Sequence, residues 1–591
     1  MPSPLVLGID LGTTSTTAVL FDPERGVLGR GEASYPTTTP QPGQAEQNPL
    51  HWRAAVVEAV RQACTSAGSG TVPGSGTVPG SAAMPGTAAG SLPAVGSGIA
   101  SGSVSGSGSG VGSASGSAVG SGSAVGSESA AGSGSGSVSR IGSGSAVRPG
   151  SADGSASGSG SAVGSGIGIG SAVGFGLGAV AVSGAGAALV LLGRDGDPVR
   201  PALIHLDQRA AAEAESLGAG RVGACVAAAS GNVVGAWNVA AKLAWVRRHE
   251  PDHFAAAHLV TSVPGSVLTW LTGEAAQSAS DAGISDLFDR PSRRWSAQVC
   301  AALDVDPAHL PRIYEATEVV GGLTAAAASL LGLRPGTPVI AGAEDTPSAA
   351  LAAGVLAAGD AYLSLGTAGV VGVAMPRGAP GDPRLLAFPH ATPDLDLLSG
   401  SMTSAGAALA WWSAVTGVPP DALVAEAEQV PPGSAGALFL PYLSGELHPV
   451  NDPHARGIFA GLSLRTGRPE LTRAILEGSA AATAHNLSVA AEAGARPVRL
   501  NATGRPTRST VWIQSIADAT GCPVEVVAEE GAALGDALIA AAATGAGALS
   551  DLAATHRTVL RRHDPDPAQF APATARRAAT ASLYEASRAR R

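Results

Sequence analysis

A short pattern occurs twice in this chain, and it limits the fold more than any other feature. The first copy reads Leu5-Val-Leu-Gly-Ile-Asp10-Leu-Gly12-Thr13-Thr14-Ser15 and runs on through Thr16-Thr-Ala-Val-Leu-Phe21-Asp22. The second reads Ala361-Tyr-Leu-Ser364-Leu-Gly366-Thr367-Ala368-Gly369 and runs on through Val370-Val-Gly-Val-Ala-Met375. Each is an apolar strand, a Gly-Thr turn and a second apolar strand. Glycine permits a tight turn and close approach of backbone to ligand. Adjacent hydroxyls and free N–H groups at such a turn form a concave anion site. Two such hairpins predict two related domains closing on one polyphosphate. Only the first copy carries a carboxylate, Asp10, which puts the metal-side chemistry on the N-terminal domain.

The chain has 591 residues, enough for two or more domains, and a net charge of −10. It has no Lys/Arg run of the kind that binds nucleic acid, and its negative charge disfavours anionic membranes. Its four cysteines, Cys64, Cys225, Cys300 and Cys522, lie far apart without zinc spacing. Free thiols in a reducing cytoplasm are expected. No secretory leader and no membrane-spanning run is expected.

Residues 68–176 are dominated by Gly, Ser, Ala and Val in tandem units, with Glu128, Arg140, Arg148 and Asp153 as the only charges. Such a stretch buries too little apolar surface to offset its ordering entropy, so a long disordered insertion in the first domain is expected. Elsewhere strands and helices alternate. Strands are predicted over 5–9, 16–21, 179–183, 189–192, 338–342 and 498–500. Helices are predicted over 52–64, after Pro469, over 511–519 and in the tail 563–591. A helix begins near Pro347, where Asp345 could serve as its cap.

Further blocks accompany the hairpins: Glu46-Gln-Asn-Pro49 with Trp52, Val199-Arg-Pro-Ala-Leu-Ile204 with Asp207 and Arg209, Gly231-Asn232, and Lys242 to Pro251. Thr272-Gly-Glu274, Ser280-Asp281-Ala, Gly342 to Asp345, Phe439 to Glu446 and Leu476-Glu-Gly478 follow. In this order they resemble the FGGY family of carbohydrate kinases, the xylulokinases above all, over nearly all the chain outside 68–176. The resemblance implies an α/β chain of two actin-like ATPase (ribonuclease H-like) domains with an active-site cleft between them. The N-terminal domain would take 1–67 and 177–343, on the sugar and metal side. The C-terminal, nucleotide-side domain would take 344–550, followed by a tail over 551–591.

It further implies transfer of the γ-phosphate of ATP, with Mg²⁺, to a hydroxyl of a sugar or polyol. Asp10 would hold Mg²⁺. Gly12, Thr13, Thr14, Gly366 and Thr367 would contact phosphate. Asp281 would be the base, with a helix cap as its structural alternative. Asp345, Asp207 and Arg209 would bind the sugar, the last two alternatively forming a structural ion pair. Gly504 and Gly535 would lie in adenosine-side turns. The expected partners are the small-molecule sugar or polyol and ATP, without nucleic acid or membrane, and with a homodimer as the oligomeric option.

Four departures stand out. Thr17 replaces a basic residue. Gly184-Ala-Gly-Ala-Ala188 lacks the Met-His pair of xylulokinases. His205-Leu206 replaces Trp-Asn. Ala502-Thr503-Gly504 replaces three glycines and is lengthened through Arg505-Pro506. A Cβ at a position needing positive φ costs about 1 kcal/mol or more, so strain is expected at Ala502 and Thr503. A non-catalytic actin-fold protein binding sugar or nucleotide is the competing reading. An Hsp70-like ATPase shares the hairpins, but no appended peptide-binding domain is expected.

Overall fold

The computed structural model describes residues 3–68, 176–528 and 531–590. The insertion expected at 68–176 lies outside the described residues except at its two ends. Strands β1 (Leu5–Leu11), β2 (Ser15–Asp22) and β3 (Gly26–Ser34) form an antiparallel meander. β4 (Leu177–Gly184) runs parallel to β1 on its other side, and β5 (Pro338–Ile340) runs parallel to β4. The short strand Val319–Gly322 closes that edge. The central strands are buried on both faces, which is why they read as near-continuous apolar runs. Helix α1 (Pro49–Gly68) covers one face with Trp52, Val56, Ala59, Val60 and Ala63 at helical spacing.

The second sheet repeats this order. β6 (Asp360–Leu365), β7 (Gly369–Pro376) and β8 (Leu395–Met402) form the meander. β9 (Arg499–Thr503) runs parallel to β6, and β10 (Val524–Val527) parallel to β9. The orders β3-β2-β1-β4-β5 and β8-β7-β6-β9-β10 are therefore the same, as expected of two actin-like domains. Leu386–Pro389 and β11 (Val559–His563) extend the edges of the second sheet. The expected tail helix does not begin at His563. Asp564-Pro565 breaks the chain there, and Asp566 caps a helix whose first residue is Pro567.

Among the other helices, α2 (Ala279–Ala282) is a single turn and α3 (Asp345–Ala352) follows β5. α4 (Arg468–Glu492) and α5 (Thr510–Thr520) pack together beside the second sheet. α6 (Gly531–Ala543) follows β10 but returns to the first sheet, covering the face opposite α1. α7 (Pro567–Arg588) packs on α4 and α5.

The return of α6 depends on two glycines. A Cβ on Gly8 of β1 would sit 2.0 Å from the Ala533 carbonyl oxygen, and one on Gly535 of α6 would sit 2.0 Å from that of Ser348 in α3. Backbone meets backbone at both crossings. Gly535→Ala is therefore expected to destabilise the fold by about 1–3 kcal/mol. Chemical denaturation would register this as an earlier midpoint, and an unmoved midpoint would mean that α3 and α6 separate without cost.

The two halves are also tied away from α6. Asp396, fully buried in β8, accepts from Arg293 (2.8 Å) and Arg290 of the N-terminal half. Asn232 pairs with the backbone of Ala387 through both its amide atoms (2.8 and 3.0 Å). No helix among the described residues is long and apolar enough to cross a membrane. All four cysteines are free thiols.

Candidate active site

The first turn follows β1. The Gly12 N–H donates to Ser15 O (3.0 Å), and its carbonyl accepts from the Tyr35 hydroxyl (2.5 Å). The Thr13 carbonyl accepts from Gln47 Nε2 (2.7 Å), and that of Thr14 from the Tyr35 N–H (3.1 Å). The carbonyls are thus drawn back into the protein. The N–H groups of Thr13 and Thr14 have no partner among the described residues. That arrangement suits an anion.

Gly12 does not need positive φ, and a Cβ on it would meet only Ser15 O, at 3.4 Å. The turn itself can accommodate alanine. No other heavy atom of the described residues, its chain neighbours aside, lies within 4 Å of that position.

The second turn, after β6, behaves likewise. Its Gly366 and Thr367 carbonyls accept from the N–H groups of Gly406 (2.9 Å) and Ala407 (3.0 Å). A Cβ on Gly366 would meet only Ala368 O, at 3.6 Å. Gly504 differs. Its φ is 99°, and a Cβ would lie 2.0 Å from Leu365 O, so glycine is required to seat the loop after β9 beneath the hairpin.

The strain expected at Ala502 and Thr503 is absent. Both are ordinary residues of β9, paired with Leu363 and Ser364, and positive φ begins only at Gly504. A cavity of about 160 Å³ beside them is lined by Thr503, Ser364, Tyr362, Ala349, Ala528 and Gly531. Gly531 starts α6 with φ 72°. Gly535 lies one turn further, inside α6 at its crossing with α3, and not on this cavity.

Three carboxylates come from separate elements. Asp10 is in β1, beside Ser183 of β4, whose hydroxyl donates to its Oδ1 (3.1 Å). Burial, and after it the charge of Asp345, push Asp10 up to about 7.

Asp281 is buried in α2. The N-cap there is Ser278, so Asp281 is not the cap. Its Oδ2 accepts from the Ser262 hydroxyl, and its Oδ1 has no partner among the described residues. Burial pushes it up to about 7 against the opposing pull of the Ser262 and Gln277 side chains, with Asp345 again contributing to the rise.

Asp345 is the first residue of α3, and Glu344 is the cap, accepting from Thr346 N–H (2.9 Å). Glu344 also donates its N–H to Ser280 Oγ (2.8 Å), which ties the start of α3 to α2. Burial and the neighbouring Asp345 hold the Glu344 carboxyl well above its usual range. Asp10, Asp281 and Glu344 thus each feel the charge of Asp345.

Asp207 and Arg209 face each other. Asp207 has no exposure and accepts from Ala45 N–H (2.6 Å) and Arg209 Nε (2.9 Å). Arg209 also pairs with Glu46 (2.9 Å) and stacks over Trp245. They brace the wall behind Ile204 and His205. Lys242 supports the same wall, donating to the carbonyls of Ala187, Ile204 and Trp237 at 2.6–2.8 Å.

His205 lines a narrow recess with Gly12, Thr13, Gln47, Ala185 and Ala188. Burial and Lys242 lower its basicity, while Asp345 opposes them. Ser183, Ser262 and Tyr35 carry no motif signal; only the folded chain brings them to the carboxylates and the turn. Gln47 belongs to the Glu46-Gln-Asn-Pro49 block, which marks its neighbourhood.

Two family models match the chain. The N-terminal domain of the FGGY family of carbohydrate kinases matches residues 5–75 and 176–352, and its C-terminal domain matches 361–544. The xylulose kinase of Escherichia coli (strain K12) is 34% identical over 422 residues, covering 69% of this chain and 84% of the relative. The autoinducer-2 kinase of Enterobacter sp. (strain 638) is 30% identical over 414 residues, covering 66% and 77%. The crystal structure of xylulose kinase from Rhodospirillum rubrum superposes with a TM-score of 0.75 at 28% identity, covering 98% of each chain.

Proposed function

This chain belongs to the FGGY family of carbohydrate kinases, and we propose that it transfers the γ-phosphate of ATP to a hydroxyl of a xylulose-like ketose or polyol. It is a sugar kinase with ATP as phosphate donor. The observation that carries the proposal is the convergence of Asp10, Asp281 and Asp345 from β1, α2 and α3, with Asp10 two residues before the Gly12 turn.

Asp281 Oδ1 is the atom free to take the proton of the sugar hydroxyl as the bond to phosphorus forms. Ser262 holds Oδ2 and so fixes the rotation of the carboxylate. Asp345 orients the sugar, and its charge disfavours ionisation of Asp10, Asp281 and Glu344. The N–H groups of Thr13 and Thr14, and the turn at Gly366 and Thr367, cradle the phosphates. The cavity lined by Thr503 and Gly531 takes the nucleoside. Residues 1–67 and 177–343 then form the sugar and metal side, and 344–550 the nucleotide side, with α6 crossing between them.

The donor set fits Mg²⁺. Asp10 has an oxygen not used by Ser183, and a second carboxylate lies close enough to raise its pKa. No group of three or more His, Cys, Asp or Glu among the described residues would cage a metal alone. Mg²⁺ favours one or two carboxylates plus phosphate oxygens and water. When bound, it neutralises charge on the phosphates. The residue that would hold it is Asp10.

The test is ADP release with Mg²⁺-ATP across ketoses, aldoses and polyols, D-xylulose included. Turnover on a ketose or polyol supports the reading. Binding without turnover across the panel would favour the non-catalytic alternative.

One consequence concerns the turns. Gly12→Ala and Gly366→Ala add a methyl group where the protein has room and the nucleotide does not. Each is expected to leave the unfolding midpoint near wild type and to raise the KM for ATP about tenfold, a cost of ~1.4 kcal/mol. Equal losses of stability and affinity would place the glycines in the fold, not the site.

A further inference from the structure

Asp536 has no part in the mechanism above, yet it lies closer to Asp10 than its place in the chain suggests. It sits in α6, next to the Gly535 crossing, with no solvent exposure. The Ser348 hydroxyl of α3 donates to its Oδ1 (2.8 Å), while Oδ2 has no partner among the described residues. α6 packs on β4, where the Ser183 side chain lies beside the Asp536 carboxyl as well as that of Asp10. The single hydroxyl proton of Ser183 goes to Asp10 Oδ1 (3.1 Å), so its lone pairs remain to accept.

An ionised Asp536 could only compete for that proton and would add another anion beside Asp10 and Asp345. A neutral carboxylic acid instead offers an O–H, the group that Ser183 can accept. Full burial without an ionic partner favours this neutral form.

We propose that Asp536 is a positioning residue of the phosphoryl-transfer site: it holds Ser183, and Ser183 holds Asp10 so that the second Asp10 oxygen is free for the metal. The helix that returns from the nucleotide-side domain thereby orients the carboxylate of the metal-side domain. The inference rests on the role proposed for Asp10.

The full-length protein would be compared as wild type, Asp536→Ala, Asp536→Asn, Ser183→Ala, the Asp536→Ala/Ser183→Ala double variant and Asp10→Ala. Two quantities are read: binding of ADP with and without Mg²⁺ by calorimetry, and the Mg²⁺ concentration for half-maximal ADP release. Loss of a group that orients a metal ligand typically costs about 10–100-fold in metal affinity or activity. Asp536→Ala and Ser183→Ala are each expected to weaken the Mg²⁺-dependent part of binding about tenfold, with metal-free ADP binding unchanged. The double variant should lose no more than either single one.

Asp536→Asn, whose amide still donates to Ser183 and whose carbonyl still accepts from Ser348, should recover most of the loss. A purely packing role would not produce that pattern. Ser183→Ala leaves the helix crossing untouched, so it decides the matter even if Asp536→Ala fails to fold. If Asp10→Ala disturbs Mg²⁺ dependence and Ser183→Ala does not, the positioning role is overturned. If Asp10→Ala leaves Mg²⁺ dependence intact, the role given to Asp10 is what fails.

Discussion

Asp281→Asn is expected to lower turnover by about 10²–10⁴-fold, with sugar and ATP affinities changed far less. A sugar hydroxyl is a weak nucleophile at neutral pH, and a carboxylate placed to receive its proton acts only as the bond to phosphorus forms. Asparagine keeps the shape and can still accept from Ser262, but it cannot act as a carboxylate base. Rapid-quench measurement of sugar phosphate at saturating substrates, with calorimetric affinities beside it, separates the two effects. Turnover near wild type would reduce Asp281 to a buried brace for Ser262, and Asp345 would become the next candidate base.

The environment of Asp281 adds a pH signature. Burial raises its carboxyl to about 7 from an ordinary value near 4. The base must be ionised, so kcat/KM should fall as pH drops below about 7 and level off above it. The sign for stability is the reverse. A carboxyl whose folded pKa is raised favours the folded state below the unfolded pKa and loses that contribution as pH rises through the folded value. Asp281→Asn should therefore unfold no earlier than wild type at pH 8, where the native carboxylate is buried and charged. Stability gained together with activity lost is the behaviour of a functional group and not of a structural one.

The local parts of the proposed site are legible in the sequence because strand, Gly-Thr turn and strand are adjacent in the chain. Asp10, Gly12 and Gly366 can be picked out on that basis, and the blocks around Asp281 and Asp345 keep family order. What depends on the return of α6 is not legible. Gly535 reads as a nucleotide turn because a glycine near a phosphate motif looks the same as a glycine at a helix crossing; only the Ser348 carbonyl 2.0 Å from its missing Cβ tells them apart. Ala502 and Thr503 read as strained because sequence does not show at which residue φ changes sign. Asp207 and Arg209 read equally well as a ligand pair or an ion pair. Their bonds to Ala45, Glu46 and each other engage both side chains inside the wall. Asp536 carries no signal at all, since its neighbours Ser183 and Ser348 are distant in the chain.

Asp10→Ala should have a different effect from Asp281→Asn, because its proposed partner is the cation and not the sugar proton. Loss of an outer partner of a metal ligand typically costs about 10–100-fold, so loss of the ligand itself should cost at least about 10²-fold in turnover. This loss should come with a raised Mg²⁺ requirement, whereas Asp281→Asn should leave that requirement in place.

Proton competition gives an independent check. Burial and Asp345 hold Asp10 near 7, and a carboxylate must shed its proton to bind a metal. In the wild type the half-saturating Mg²⁺ concentration should therefore rise as pH falls below 7, by roughly tenfold per unit once Asp10 is mostly protonated. Asp10→Ala has no proton there to lose, so its residual Mg²⁺ requirement should be flat across the same range. A wild-type requirement that is itself flat from pH 8 to pH 6 would mean that the cation is held by phosphate oxygens and water without Asp10. The convergence of Asp10 and Asp345 would then serve to orient the sugar alone.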